Sequence, residues 1–217
     1  PGTGKTTVAT QFLLAGSENK ESTLYITLSE TRDELIAGAR THGWDVSGLH
    51  IVELVPPEAL LSDDERQSLF YSSDLELGEA TKRIFEVFRS VQPSRVVLDS
   101  LSEIRLLSQS SLRYRRQILS LKHFFARQGA TVMLLDDLTS DINDKTVHSI
   151  AHGVLRLEQV LPDYGAERRR IRIMKYRGRK FRGGYHDFAI LTGGRAFFPV
   201  LFPPNINLRS SAQSCAV

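Results

Sequence analysis

Apolar runs of strand length alternate with segments of helical periodicity through residues 1–150. The runs predict strands at 23–28, 50–55, 95–99 and 130–137. Between them, apolar residues at three- and four-residue spacing predict helices over 6–16, 31–42, 79–91 and 111–128. Strands that alternate with helices of this length are typical of an α/β fold with a mostly parallel sheet and helices on both faces.

Local signals mark the ends of several of these elements. Thr31 and Glu34 have the spacing of a capping box, and Gly43 is placed to end the helix that follows. Pro56 and its neighbouring proline end the second strand. We interpret residues 58–77, which include the acidic stretch LLSDDERQS, as a mobile excursion from the fold.

After residue 150 the pattern changes to strands separated by turns. Strands are predicted at 153–160, 168–176, 185–191 and 196–200. We expect them to form an antiparallel C-terminal extension of the sheet. The whole pattern predicts one domain over 1–202, truncated at its N-terminus, followed by a linker or disordered tail at 203–217.

The composition is that of an ordinary globular domain. The 217 residues are 41% hydrophobic and 24% charged, with a net charge of +3. No apolar run approaches the roughly 20 residues that span a bilayer, so we expect no membrane span. The single cysteine, Cys215, excludes an internal disulfide framework and favours a reducing, cytoplasmic location.

The chain begins with PGTGKTT, which matches most of the phosphate-binding pattern G-x-x-x-x-G-K-[ST]. Its glycines allow a tight turn that aims backbone N–H groups at one anion, and the next helix adds its positive N-terminal end. The lysine supplies a charge to the β- and γ-phosphates, and the hydroxyl after it coordinates Mg²⁺. We therefore predict ATP and Mg²⁺ as cofactors, with these nucleotide-binding residues: Gly2, Thr3, Gly4, Lys5, Thr6 and Thr7.

An ordinary glycine turn before a helix is the alternative interpretation of this loop. Gly-x-Gly-Lys-Thr at the start of an amphipathic helix favours phosphate binding instead. The first glycine of the pattern, and the strand that precedes such loops, would lie before Pro1. We therefore expect the sequence to be a fragment.

The strand pattern places two carboxyl groups near this loop. Asp99 follows the apolar run RVVL at the C-terminal end of a buried strand, where open α/β sheets bind ligands. Such an aspartate also ends ordinary turns, but beside a phosphate-binding loop it indicates a Mg²⁺ ligand together with Thr6. Glu30 lies just past the end of the first strand. It either orients or deprotonates an attacking water, or only favours the N-terminus of the next helix.

Several stretches of the chain together resemble one family. The most specific are ETRDELIAGARTHGWD after the first strand and KYRG, YHDFAI and FFP in the C-terminal part. With the loop and VVLDS, they resemble the KaiC-type domain of the RecA-like P-loop ATPases over nearly all of 1–202. The resemblance implies ATP hydrolysis in a hexameric ring with nucleotide at subunit interfaces. It also implies a signalling or timing role in which an unidentified protein partner responds to the nucleotide state.

Carried over residue by residue, the resemblance makes Lys5 and Thr6 the phosphate and Mg²⁺ ligands and Asp99 the Walker B acid. Glu30 matches the second of two adjacent glutamates in the family pattern. Ser29 stands in place of the first, which is often treated as the catalytic base. The catalytic candidates are therefore Glu30 and Lys5, and we expect hydrolysis to be slow.

The strongest local charge lies in residues 168–182, where nine of the fifteen residues are Lys or Arg. On a strand, Lys175 and Arg177 would share one face with Ile171 and Ile173. The run could make phosphate contacts at a subunit interface, bind nucleic acid or an acidic partner, or form a solvated edge strand. The resemblance favours the first, because this basic pair matches the family's paired Lys and Arg that reach ATP on the neighbouring subunit.

Two classes of function remain. The first is a KaiC-like ATPase that acts as a nucleotide-state switch in a homo-oligomeric ring, with very slow hydrolysis as a milder variant. The second is a RecA- or RadA-like DNA-dependent ATPase in recombination or repair, supported chiefly by the basic run. The loop at 136–148 is acidic and would repel DNA, so we prefer the first. Ser149 falls near the family's phosphoacceptor position, but hydroxyl residues are common in such loops, so kinase activity is the weaker expectation.

Overall fold

A computed structural model describes residues 2–54, 73–137, 146–161, 164–191 and 196–197. Its helices are α1 (Lys5–Glu18), α2 (Arg32–Thr41), α3 (Ser73–Val91), α4 (Leu101–Ser108), α5 (Ser111–Arg127) and α6 (Thr146–Ile150). Its strands are β1 (Thr23–Thr27), β2 (His50–Glu53), β3 (Arg95–Asp99), β4 (Thr131–Leu134), β5 (Gly153–Val160), β6 (Arg168–Tyr176), β7 (His186–Ile190) and β8 (Ala196–Phe197). None of the described helices is both long enough and apolar enough to cross a membrane.

The first four strands form a parallel sheet in the order β2-β1-β3-β4. β1 and β3 are the central pair, with Leu24 beside Val96 and Ile26 beside Leu98. All five residues of β1 are buried, as expected when helices cover both faces of a parallel sheet. This arrangement confirms the predicted parallel α/β fold.

Two apolar clusters cover the two faces of this sheet. Leu24 and Ile26 of β1 pack in a cluster that includes side chains of α3, α4 and α5, whereas Tyr25 packs with side chains of α1 and α2. Alternate residues of a strand point to opposite faces, so one strand contributes to both clusters. Aromatic contacts join α3 to α5, with the rings of Phe88 and Phe125 5.4 Å apart. Helices therefore lie on both faces, as predicted.

The remaining strands form a second sheet in the order β5-β6-β7-β8. β5 and β6 pair along their length, with one irregularity in register between Val154 and Leu155. β7 pairs with β6 and β8 pairs with β7, and all three pairings are antiparallel. The predicted antiparallel character of the C-terminal part is confirmed. Among the described residues these strands form a sheet of their own instead of prolonging the first.

The capping box is confirmed, and some boundaries differ from the prediction. The Thr31 side chain accepts from the Glu34 N–H, and the Glu34 carboxylate accepts from the Thr31 N–H. The sequence did not predict α4 or α6, which have eight and five residues, because short helices carry little periodic signal. The predicted excursion at 58–77 is partly helical, since α3 begins at Ser73. Residues 55–72 and the predicted tail at 203–217 lie outside the described part of the chain.

Candidate functional site

The loop before α1 turns through two glycines with positive φ. Gly2 has φ 76° and Gly4 has φ 89°, a backbone conformation that favours glycine. A Cβ at Gly4 would lie 2.7 Å from Cδ1 of Ile190 in β7, and one at Gly2 would lie 2.9 Å from Oε1 of Gln159 in β5. Arg169 of β6 also donates a hydrogen bond of 3.3 Å to the Gly2 carbonyl. The second sheet therefore packs against the loop.

A cleft of ≈ 510 Å³ lies between this loop and the carboxyl ends of β1, β3 and β4. The loop and strand-end residues singled out in the sequence line it together: Gly2, Thr3, Gly4, Lys5, Thr6, Thr7, Ser29, Glu30 and Asp99. It also includes residues that the sequence did not indicate: Ser100, Ser102, Glu103, Asp137 and Ile190. An adjoining cavity shares four of these residues and continues along α2. Ligands of open α/β sheets bind at this edge.

Asp99 ends β3 and is 7% exposed. The Tyr25 hydroxyl donates a hydrogen bond of 2.6 Å to Oδ2 of Asp99, and the Thr6 side chain lies near this carboxyl group. Burial and the charge of Asp137 raise the pKa of Asp99, while the Tyr25 hydrogen bond, the charge of Lys5 and the nearby Thr6 hydroxyl partly lower it. Burial and the adjacent Asp99 charge raise the pKa of Tyr25, so its hydroxyl remains a donor. Sequence reasoning missed this role for Tyr25, because the residue lies in a strand with an apolar interior.

The oxygen atoms beside the loop fit a magnesium ion that arrives with a nucleotide. The Thr6 hydroxyl and the Asp99 carboxyl lie side by side in the cleft, and Mg²⁺ prefers such oxygen ligands. In the described residues, no group of three or more His, Cys, Asp or Glu side chains could hold a metal ion. Mg²⁺ at nucleotide sites is usually held by one or two protein groups together with phosphates and water. Thr6 and Asp99 therefore suit a metal shared with phosphate.

Hydrogen bonds to its backbone hold Glu30 just beyond the end of β1. The Thr27 hydroxyl donates to the Glu30 carbonyl at 2.7 Å and accepts from the Glu30 N–H at 3.0 Å. Burial, then the charges of Asp99 and Glu34, raise the pKa of the Glu30 carboxyl group. The N-terminus of α2 is capped by Thr31 and Glu34, and this leaves Glu30 facing the cleft. Glu30 thus lines the cleft and also directly precedes the start of α2.

Lys5 forms an ion pair with Asp137, which follows the end of β4. The two side chains are 22% and 35% exposed. The sequence suggested that residues 130–137 form one strand, but β4 ends at Leu134 and Asp137 lies in the cleft. In the sequence, the only sign of a role for Asp137 is that its carboxyl group lies near the end of a predicted parallel strand. No local pattern links Asp137 to Lys5.

Residues 1–199 match the family described as ATPase: KaiC. The chain belongs to the KaiC family of ATPases. Its fold is accordingly that of a RecA-like P-loop domain, and membership of the KaiC family implies nucleotide binding.

Curated KaiC proteins align with most of this chain. The circadian clock protein KaiC3 of Synechocystis sp. is 27% identical over 195 residues, which cover 88% of this chain and 38% of the relative. The circadian clock oscillator protein KaiC of Synechococcus elongatus is 28% identical over 211 residues, which cover 92% of this chain and 39% of the relative. That of Parathermosynechococcus lividus is 26% identical over 205 residues, covering 92% and 37%. The chain thus spans less than two fifths of the length of these KaiC relatives.

In this KaiC-family chain, Lys175 and Arg177 lie together at the C-terminal end of α6. Lys175 Nζ donates to the His148 carbonyl at 2.6 Å, and Arg177 Nη2 donates to the Ser149 carbonyl at 2.7 Å. Burial, then the charges of Arg177 and Lys122, lower the pKa of Lys175. Neither basic residue is among the described residues that line the chain's own cleft. β6 ends at Tyr176, so Arg177 belongs to the turn after the strand.

The basic strand β6 is not an edge strand over its first half. It pairs with β5 along its length and with β7 at Arg169, Arg170 and Ile171. The interpretation as a solvated edge strand is therefore wrong for this half, because both of its sides are hydrogen-bonded. Arg170 Nε donates to the Glu158 carboxylate at 2.7 Å and its guanidinium lies 4.0 Å from the ring centre of Tyr185. Part of the positive charge is thus neutralised within the sheet.

Proposed function

We propose that this KaiC-family chain binds ATP and Mg²⁺ in the cleft and hydrolyses the ATP slowly, as a nucleotide-state switch in a hexameric ring. We place the ring in the cytoplasm, where a protein partner responds to the bound nucleotide in signalling or timing. One observation carries the proposal: Lys5 and Thr6 of α1, Glu30 just after β1 and Asp99 of β3 line a single cleft.

Each of these side chains has its own task in the proposed reaction. The loop N–H groups and the start of α1 face the phosphates, and Lys5 adds a positive charge. Thr6 and Asp99 hold the metal ion, which when bound neutralises phosphate charge. Glu30 orients the attacking water or accepts its proton. Ser29, where the family pattern has a glutamate, cannot act as a base at neutral pH, so turnover is slow.

The negative charge of the cleft indicates that ATP binding also needs cations from outside this chain. Its described lining includes four carboxyl groups and, as its one basic side chain, Lys5. With all five groups ionised the sum is one positive minus four negative charges, or −3. Such a cleft repels a polyphosphate. Mg²⁺ offsets part of this charge, and we assign the rest to Lys175 and Arg177 of a neighbouring subunit.

The DNA-dependent alternative has less support. The relatives described above are named as circadian clock proteins. Two arginines of the basic strand are already paired with carboxylates, Arg170 with Glu158 and Arg169 with Glu167. The acidic loop that weighed against DNA binding lies mostly outside the described residues.

Replacement of Lys5 tests the proposed nucleotide site. In the full-length protein, Lys5→Ala should abolish detectable Mg·ATP binding, because the described lining of the cleft then has no positive side chain. Isothermal titration calorimetry measures the affinity directly. Lys82→Ala is a matched control, since Lys82 is an exposed lysine on α3 that forms an ion pair with Glu86 within one helical turn. An unchanged affinity in Lys5→Ala would refute the proposed site.

A further inference from the structure

Lys5 forms an ion pair with the carboxylate of Asp137. The proposed phosphate site needs the same ammonium group. We propose that Asp137 sets the nucleotide affinity of the site by competing with the phosphates for Lys5. This inference rests on the proposed function, because it assumes that phosphates bind at Lys5. It concerns a residue that neither the loop motif nor the Walker B strand includes.

The backbone fixes Asp137 at this place. The Leu135 N–H donates to the Leu98 carbonyl at 3.0 Å, and the Leu101 N–H donates to the Leu135 carbonyl at 2.8 Å. The chain after β4 is therefore held between the end of β3 and the start of α4. Because successive side chains of an extended segment point to opposite sides, the next two residues diverge.

The two adjacent aspartates have different partners. Asp136 forms an ion pair with Arg105 of α4 at 3.2 Å and is 15% exposed. Asp137 forms its ion pair with Lys5 and lines the cleft. The first aspartate thus belongs to the packing of α4, and the second belongs to the nucleotide site.

A bound phosphate and the Asp137 carboxylate cannot both pair closely with one ammonium group without repelling each other. ATP therefore has to displace Asp137 from Lys5, and the free energy of that ion pair is subtracted from the free energy of binding. Repulsion between the Asp137 carboxylate and the phosphates makes the free energy of binding still less favourable. Without nucleotide, the same ion pair ties the start of α1 to the end of β4 and stabilises the empty site.

The isosteric change Asp137→Asn tests this competition. Affinity for Mg·ATP and for pyrophosphate should rise about fivefold or more, because an exposed ion pair alone is worth up to about that factor and phosphate repulsion is also relieved. The melting temperature without ligand should fall, while the upward shift on addition of ATP should grow. Calorimetry and thermal unfolding of the full-length protein measure both effects without reference to hydrolysis.

Two variants serve as controls. Asp137→Glu keeps the carboxylate and should keep the lower, wild-type affinity. Glu103→Gln removes another carboxylate that lines the cleft but is not an ion-pair partner of Lys5 among the described contacts, so its gain in affinity should be smaller. Equal gains in Glu103→Gln and Asp137→Asn would indicate general charge relief and would overturn the competition.

The outcomes separate this inference from the proposed function. Wild-type binding with unchanged or weaker binding by Asp137→Asn overturns the inference and leaves the proposed function standing. Loss of hydrolysis in Asp137→Asn at unchanged affinity also overturns it, since Asp137 would then act in the reaction itself. If neither protein binds ATP or pyrophosphate, the proposed function fails and the inference fails with it.

Discussion

Asp99 and Glu30, two of the acidic residues that line the cleft, are held in different ways, and this suits them to different tasks. Asp99 is almost fully buried, with a hydrogen bond from Tyr25 to its carboxyl group and the Thr6 side chain nearby. Glu30 is less buried than Asp99, and Thr27 holds its backbone while the side chain lines the cleft. A carboxyl group fixed by neighbours suits a metal ligand, whereas one with freedom to adjust suits contact with a water molecule.

Glu30→Gln should lower the rate of hydrolysis about 10²-fold and leave Mg·ATP affinity nearly unchanged, as expected for loss of a general base. The pKa of Glu30 is raised chiefly by burial. A base must be ionised, so activity should fall as pH drops through a value above the usual pKa of about 4.3, and the glutamine variant should lack this dependence. Bound Mg²⁺ would offset the part of this pKa shift that comes from the Asp99 charge, but not the part that comes from burial.

The pH–rate profile of the wild type and of Glu30→Gln checks this assignment, with Ser29→Glu as a companion variant. Ser29→Glu restores the carboxyl group of the family pattern and should raise the rate. If neither substitution changes the rate, another group handles the attacking water.

At the scale of elements, local signals identified most of the parallel half of the fold, but not the short helix α4. The apolar runs identified β1 and β3, and the Thr31–Glu34 capping box marked the start of α2. The loop motif and the strand-end aspartate identified Lys5 and Asp99 as candidates, because each lies in a short pattern.

Contacts between distant elements could not be predicted in this way. The pairing of Lys5 with Asp137 spans 132 positions, and the packing of Ile190 against Gly4 depends on how the second sheet meets the loop. Tyr25 is a similar case, since its bond to Asp99 follows from the pairing of β1 with β3. Such contacts depend on strand order and register, which periodicity alone does not specify.

The packing of the second sheet on the loop predicts an effect of Gly4→Ala. Alanine is disfavoured at φ 89° by about 1–2 kcal/mol, and its Cβ would lie 2.7 Å from Cδ1 of Ile190. We expect a lower melting temperature and a loss of ATP affinity of about tenfold or more, since both costs fall on the phosphate-binding loop.

Two further variants separate the causes of that effect. Gly4→Ala combined with Ile190→Val shortens the contacting side chain and should recover part of the loss, leaving the backbone cost. Gly38→Ala is the control, because Gly38 lies within α2 with no atom within 4 Å of the added Cβ, and it should stabilise the protein slightly. Equal melting temperatures for Gly4→Ala and wild type would contradict the packing argument.

At the scale of the whole molecule, the distribution of charge and exposed apolar surface favours assembly. The cleft is rich in carboxyl groups, while the C-terminal end of β6 presents Lys175 and, in the turn, Arg177. The carbonyl groups at the end of α6 hold both basic side chains in place, where the helix end is partly negative. Large apolar side chains near them are exposed, Met174 at 38% and Tyr176 at 48%. Fixed cations beside an exposed apolar surface suit an interface with a neighbour's acidic cleft.

The proposed contact of Lys175 and Arg177 with ATP on a neighbouring subunit predicts that hydrolysis depends on assembly. Arg177→Ala and Lys5→Ala chains should each be inactive alone, since a cation on the transferred phosphoryl group can be worth about 10³–10⁵ in rate. In mixed rings, the intact cleft of an Arg177→Ala chain meets the intact Arg177 of a Lys5→Ala chain, so part of the activity should return. Specific activity of the wild type should also rise with protein concentration. Absence of recovery in rings shown to be mixed, or full activity in a monomer, would place Lys175 and Arg177 outside the reaction.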